Sequence, residues 1–85
     1  MKDIKDWVIQ WFENNTNGLR EHIIKNSHSN YFEEGWLDSL KFIEFIVDIE
    51  NTFKIQFSNN EFQNRMFSSI DGITKIIESK KNETI

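Results

Sequence analysis

Fifteen residues, Leu40 to Lys54, constrain this chain more than any others, because they hold more large apolar side chains than one helix face can bury. Taking Phe42 as zero and roughly 100° per residue, Phe42, Phe45, Ile46, Ile49 and Phe53 gather within about 60° of one direction. They form a core-facing stripe. Leu40, Ile43 and Val47 fall on a second stripe, centred roughly 130° around the helix, with Glu44 and Glu50 on its flanks. A single small core does not require that second stripe.

This helix has a definite start. Gly35-Trp36-Leu37-Asp38-Ser39-Leu40 closes a long polar connection, and Asp38 is the N-cap candidate, its carboxylate able to accept from an unpaired N–H of the first turn. Ser39 then takes the first helical position, with its hydroxyl near the mouth of the helix.

Upstream, Ile4, Trp7, Val8, Trp11 and Phe12 repeat at helical spacing and predict a first helix closing near Asn14. Asp3 or Asp6 suits its first turn, at the positive end of the dipole. The run Asn14 to Gly18 stops it, Gly18 by permitting φ > 0 and the asparagines by competing for backbone bonds. Thr16 to Leu37 is a long connection. Within it Leu19, Ile23 and Ile24 predict a short helix or helical turn lying on the core, and Asn26 to Asn30 reads as exposed loop. Phe32 and Leu37 are expected to peg the loop onto the bundle and so fix the position of Ser39.

Downstream, Lys54 to Phe57 leaves helical spacing and runs extended. Ser58-Asn59-Asn60-Glu61 fits a capping box, with Phe57 and Phe62 as its hydrophobic staple, so a short helix is expected from Asn59 to about Arg65. Ser68 or Ser69 caps a last helix whose apolar face is Ile70, Ile73, Ile76 and Ile77. Lys80 to Ile85 lacks a pattern and is expected to fray. The prediction is one all-α domain over residues 1–79, a small four-helix bundle of three longer helices and one short, with a long first loop.

Composition narrows the function. A chain of 85 residues buries only a modest core, and eight Phe and three Trp supply much of its filling. A formal charge of −4 argues against binding a nucleic-acid backbone and suits partners with basic surfaces. Without cysteine there is neither a disulfide framework nor a thiolate metal site, so reactive sulfur has to come from a cofactor. The first six residues are too charged for a secretory signal, and no apolar run approaches transmembrane length, which makes a cytoplasmic address the default expectation.

An Asp-Ser-Leu run opening such a helix, with Glu44 and Glu50 further along and then Phe53 and Ile55, resembles the acyl and peptidyl carrier protein family. The resemblance extends from the first helix to about Ser79 and is strongest in Tyr31 to Phe57. It implies a carrier-protein-like bundle that is not itself an enzyme, in which Ser39 bears a covalent 4′-phosphopantetheine arm derived from coenzyme A. The thiol of that arm would hold an acyl or aminoacyl cargo as a thioester. It further implies a phosphopantetheinyl transferase, a loading enzyme and a downstream synthase or transferase as partners of a freestanding monomer. Asp38 would support the transferase's magnesium ion as well as capping the helix. The helix after Ser39 would be the recognition helix, with Leu40, Ile43 and Val47 as its apolar positions and Glu44, Asp48 and Glu50 supplying charge for steering. Lys41 and Lys54 dilute that acidic face, which favours a dedicated pathway over bulk fatty-acid synthesis.

Other readings compete. Without a dedicated base nearby, Ser39 reads as the substrate of another enzyme rather than as a nucleophile. As a plain cap it would leave an unmodified helical interaction module that docks through the second stripe. His22 and His28 lack the companions of a metal site and read as loop histidines. Trp7 and Trp11 read as core, and Trp36 as a loop anchor, with shielding of the arm or contact with cargo as its alternatives.

Overall fold

In a computed structural model, residues 3–83 are described, with the side chains of Asn82 and Glu83 excepted; Met1, Lys2, Thr84 and Ile85 lie outside the described residues. The elements run α1 (Ile4–Asn15), α2 (Arg20–Lys25), α3 (Ser39–Phe53), α4 (Asn59–Phe62), a 3-10 turn (Arg65–Ser68) and α5 (Ile70–Glu83). The fold is all-α. Among the described residues the sole extended pairing is an isolated bridge between Asn30 and Ser69. The architecture is thus three long helices with two short ones and a 3-10 turn, one short helix more than the four-helix count.

The long helices follow their apolar spacing. In α1, Val8, Ile9, Trp11 and Phe12 are buried, while Ile4 and Trp7 lie half-buried at the margin. Side chains end the helix: Asn15 Nδ2 donates to the Trp11 carbonyl at 2.9 Å and Thr16 Oγ1 to that of Phe12 at 2.6 Å. These bonds occupy carbonyls that a helix end leaves open. Gly18 was expected to supply a left-handed turn, but Gly35 is the glycine with positive φ. Gly18 is small for want of space instead, since a β-carbon there would meet the Ile23 side chain at 3.0 Å.

In α5, Ile70, Ile73, Ile76 and Ile77 are all buried, and Ser69 Oγ accepts from the Gly72 N–H at 3.0 Å, so Ser69 is the cap. The helix runs on through Glu83, and the rest of the expected frayed tail, Thr84 and Ile85, lies outside the described residues. Lys80 gains a reason to stay ordered from Glu61, whose carboxylate lies 3.0 Å from its ammonium. Glu61 also accepts from the Ser58 N–H at 2.7 Å, completing the expected capping box, and the Phe57 and Phe62 rings meet edge to face beside it. Burial opposes ionisation of Glu61, but the bonds from Ser58 and Lys80 outweigh it and hold its carboxyl below the usual range. The helix expected to reach Arg65 stops at Phe62. Asn64 breaks it by accepting from the Met66 N–H at 3.0 Å, which opens the 3-10 turn.

The long connection departs most from its sequence reading. Of the three aliphatics in and before α2, Ile23 alone is buried; Leu19 and Ile24 face solvent, because a six-residue helix presents only one turn to the core. Within the supposedly exposed Asn26–Asn30, Ser27 is buried. Its carbonyl accepts from the Asp71 N–H at 3.0 Å and its hydroxyl donates to the Asp71 carboxylate at 3.1 Å. Lys5 approaches the same carboxylate at 2.9 Å, so the residue of α5 that holds this loop also pairs with α1. Leu37 is a peg as expected, but Phe32 is not: it stays two-fifths exposed, its ring tilted against that of Phe42. Tyr31 and Trp36 do that work. The Tyr31 ring is fully buried among Phe12 and Phe45, its hydroxyl donates to the Phe67 carbonyl, and burial pushes its phenol above the usual range.

Candidate functional site

The site is built at the mouth of α3. Asp38 takes extended backbone angles and its Oδ1 accepts from the Lys41 N–H at 2.8 Å, the N-cap that the sequence predicts. Its carbonyl accepts from the Phe42 N–H at 2.9 Å. The N–H groups of Ser39 and Leu40 have no partner among the described residues and face outward at the positive end of a fifteen-residue helix. Ser39 itself is exposed. Behind it Trp36 and Leu37 are buried, with the Trp36 ring edge-on to Phe12, so the segment entering the helix is held from the core side.

Along α3 the two stripes separate as their angles require. Phe45, Ile46 and Ile49 are buried, with Phe42 and Phe53 packed at the rim. Leu40, Ile43 and Val47 remain 76%, 59% and 47% exposed. That is an apolar row with no cover among the described residues. Glu44 is exposed beside it and pairs with Lys41 at 3.4 Å. The two other acids have work inside the fold. Asp48 Oδ2 accepts from the Trp11 indole N–H at 2.7 Å, locking α1 to α3, and Glu50 Oε2 accepts from the Phe57 N–H at 3.1 Å, fixing the connection after α3. Spacing along one helix does not reveal such bonds, because the donors come from elsewhere in the chain.

No group of three potential metal ligands gathers among the described residues, around the histidines or elsewhere. His22 stands edge-on to Trp36 and 3.6 Å from Glu34. Sequence reasoning missed the Ser27–Asp71 junction and the Tyr31–Phe67 bond that hold the loop behind Ser39. A tyrosine among so many aromatics was the available hint, since a buried phenol seeks a partner.

Comparison with known proteins bears on this helix mouth. The family model for the phosphopantetheine attachment site matches residues 17–76, well over half of the chain. The chain belongs to that carrier family. No curated protein and no solved structure gives a significant match. The family's group is a covalent 4′-phosphopantetheine, and its members are in general non-catalytic carriers served by phosphopantetheinyl transferases and synthase enzymes. The carrier's own donor set fits such a group. An exposed primary hydroxyl at a helix mouth can be esterified, and two open backbone N–H groups beside it suit the resulting phosphodiester. Each such interaction is worth about 0.3–1 kcal/mol at an exposed site, enough to orient a phosphate without burying it. Among the described residues, no helix of the carrier is long and apolar enough to cross a membrane.

Proposed function

We propose that Ser39 is the attachment residue and that the chain carries an acyl or aminoacyl group between separate enzymes of a biosynthetic pathway. The observation that carries this reading is the exposed Ser39 hydroxyl at the capped, anion-favouring mouth of α3. When bound, the group supplies a thiol on a flexible tether, to which cargo is joined as a thioester. The chain's residues do the rest. Asp38 holds the first turn in register, and Trp36 and Leu37 keep the entering segment on the core. Leu40, Ile43, Val47 and Glu44 offer an apolar and acidic face to partner enzymes. Asp48 and Glu50 act in that face chiefly as struts, through Trp11 and Phe57. The Lys41–Glu44 pair lowers the net charge of the docking face, which supports a dedicated pathway rather than bulk fatty-acid synthesis.

The test is an intact mass after incubation with coenzyme A and a broad-specificity phosphopantetheinyl transferase. A gain of one phosphopantetheine unit is expected, and Ser39→Ala abolishes it. An unchanged mass in the natural protein would return the chain to an unmodified interaction module that docks through α3. Loading assays with candidate adenylating and acylating enzymes then identify the cargo.

A further inference from the structure

A polar depression of about 280 Å³ lies where the long connection meets the last helix. It is lined by His28 and Asn30 from the connection, Arg65 and Ser68 from the 3-10 turn, and Ser69 at the cap of α5. Main-chain contacts hold its two sides together. The isolated bridge joins Asn30 to Ser69, and the Tyr31 N–H donates to the Ser68 carbonyl at 2.9 Å. The rim is therefore set by the fold before any ligand arrives.

Every lining side chain can donate a hydrogen bond, and none is acidic. Asn30 Oδ1 already accepts from the N–H groups of Phe32 and Glu33, at 2.8 and 3.3 Å, which leaves its Nδ2 hydrogens to donate. Ser69 Oγ accepts from the Gly72 N–H at 3.0 Å, so the hydroxyl keeps its own proton to give. Arg65 is exposed, and no carboxylate pairs with it among the described residues. Asp71, the acid closest in sequence to the rim, does not line the depression; Lys5 holds it at 2.9 Å and the Ser27 hydroxyl at 3.1 Å. In a chain of formal charge −4, one small volume thus gathers a guanidinium, an imidazole, an amide and two hydroxyls.

We propose that this depression is an anion site that takes a phosphate group, either as the free ion or as the ester of a small molecule. Donor number selects phosphate over a carboxylate. A carboxylate brings two oxygens, whereas a phosphate brings at least three strong acceptors, and the donors here come from five residues on three segments. The planar fork of Arg65 suits two of those oxygens. A phosphate held there joins the connection to the 3-10 turn and α5 across the same seam as the Tyr31–Ser68 bond, so binding stabilises the fold. The site uses none of the residues around Ser39 and stands apart from the attachment reading.

The experiment titrates the unmodified protein with inorganic phosphate and, separately, with glycerol 3-phosphate, at an ionic strength held constant with sodium chloride. ¹⁵N-resolved NMR should show saturable shifts of the Asn30 side-chain amide and of the backbone N–H groups of residues 65–70, and the melting temperature should rise with ligand concentration. Tighter saturation by glycerol 3-phosphate assigns the site to an esterified phosphate, and tighter saturation by inorganic phosphate to the free ion. Arg65→Gln, at an exposed position, should weaken binding by about tenfold or more, the worth of a charged hydrogen bond. Asn30→Asp keeps the acceptor that holds the Phe32 and Glu33 N–H groups but exchanges the donating amide for a charged oxygen, and should abolish saturation while leaving the ligand-free melting temperature nearly unchanged. Shifts that grow linearly with concentration, that appear equally with chloride, or that saturate unchanged in both variants overturn the site.

Discussion

Replacing Ile43 and Ile49 by alanine, one at a time, tests whether α3 has two faces with different duties. Ile43 is 59% exposed, so folding removes only roughly two-fifths of it from water. Full burial of such a side chain is worth about 1.5–3 kcal/mol, which puts the loss in Ile43→Ala at about 0.6–1.2 kcal/mol. Alanine is also the better helix former by a few tenths of a kcal/mol, so the net change falls below about 1 kcal/mol. Ile49 is fully buried, and truncation there leaves a cavity as well as losing transfer energy, about 2–5 kcal/mol in all. For a domain of this size each kcal/mol shifts the melting temperature by about 4–8 °C, so Ile49→Ala should melt at least about 8 °C lower and Ile43→Ala only a few degrees lower. Thermal and urea unfolding by circular dichroism measure these shifts. Loading by a partner enzyme, followed as kcat/KM below the melting range, should fall for Ile43→Ala through KM. Equal destabilisation by the two variants would refute the two-face assignment and place Ile43 in the core.

Three further outcomes are expected. Asp38→Ala removes the Lys41 cap bond and should cost about 0.5–2 kcal/mol, whereas Asp38→Asn keeps an acceptor and should unfold nearly as the natural protein does in the same urea titration. Gly72→Ala should destabilise the fold despite alanine's helix preference of about 1 kcal/mol, because its β-carbon would lie 1.9 Å from the Met66 carbonyl oxygen; a raised melting temperature would contradict that close approach. Acid should also weaken the fold. The Lys5 ammonium, against the opposing cost of burial and with help from Ser27, holds the Asp71 carboxyl below its ordinary range, and Ser58 and Lys80 do the same for Glu61. Carboxyls depressed by folding bind fewer protons than in the unfolded state, so their stabilisation is fully present above the ordinary carboxylate range and is lost as pH falls from that range through the lower folded values. Melting temperature should therefore decline below about pH 4.5, and Glu61→Gln should flatten part of that decline; an unchanged slope would exclude Glu61 as a contributor.

Local order was largely legible in the sequence, because its causes lie within a turn or two of the residues concerned. Helical spacing located α1, α3 and α5, and Asp38, Ser58 and Ser69 marked their own helix starts through bonds to N–H groups three residues on. The split of α3 into a buried and an exposed stripe follows from its 100° step and needs no knowledge of its neighbours. Tertiary structure decided what depends on distant partners. Phe32 and Tyr31 are adjacent and similarly apolar, yet Tyr31 is the peg, because Phe12, Phe45 and the Phe67 carbonyl surround it from other parts of the chain. Asp48 and Glu50 look like free surface acids along α3, and only the arrival of Trp11 and Phe57 turns them into struts. Ser27 sits in a polar run that reads as solvent-facing until α5 brings Asp71 against it. A one-dimensional pattern reports which face of a helix is apolar; which polar atoms will find partners is determined by how the helices pack.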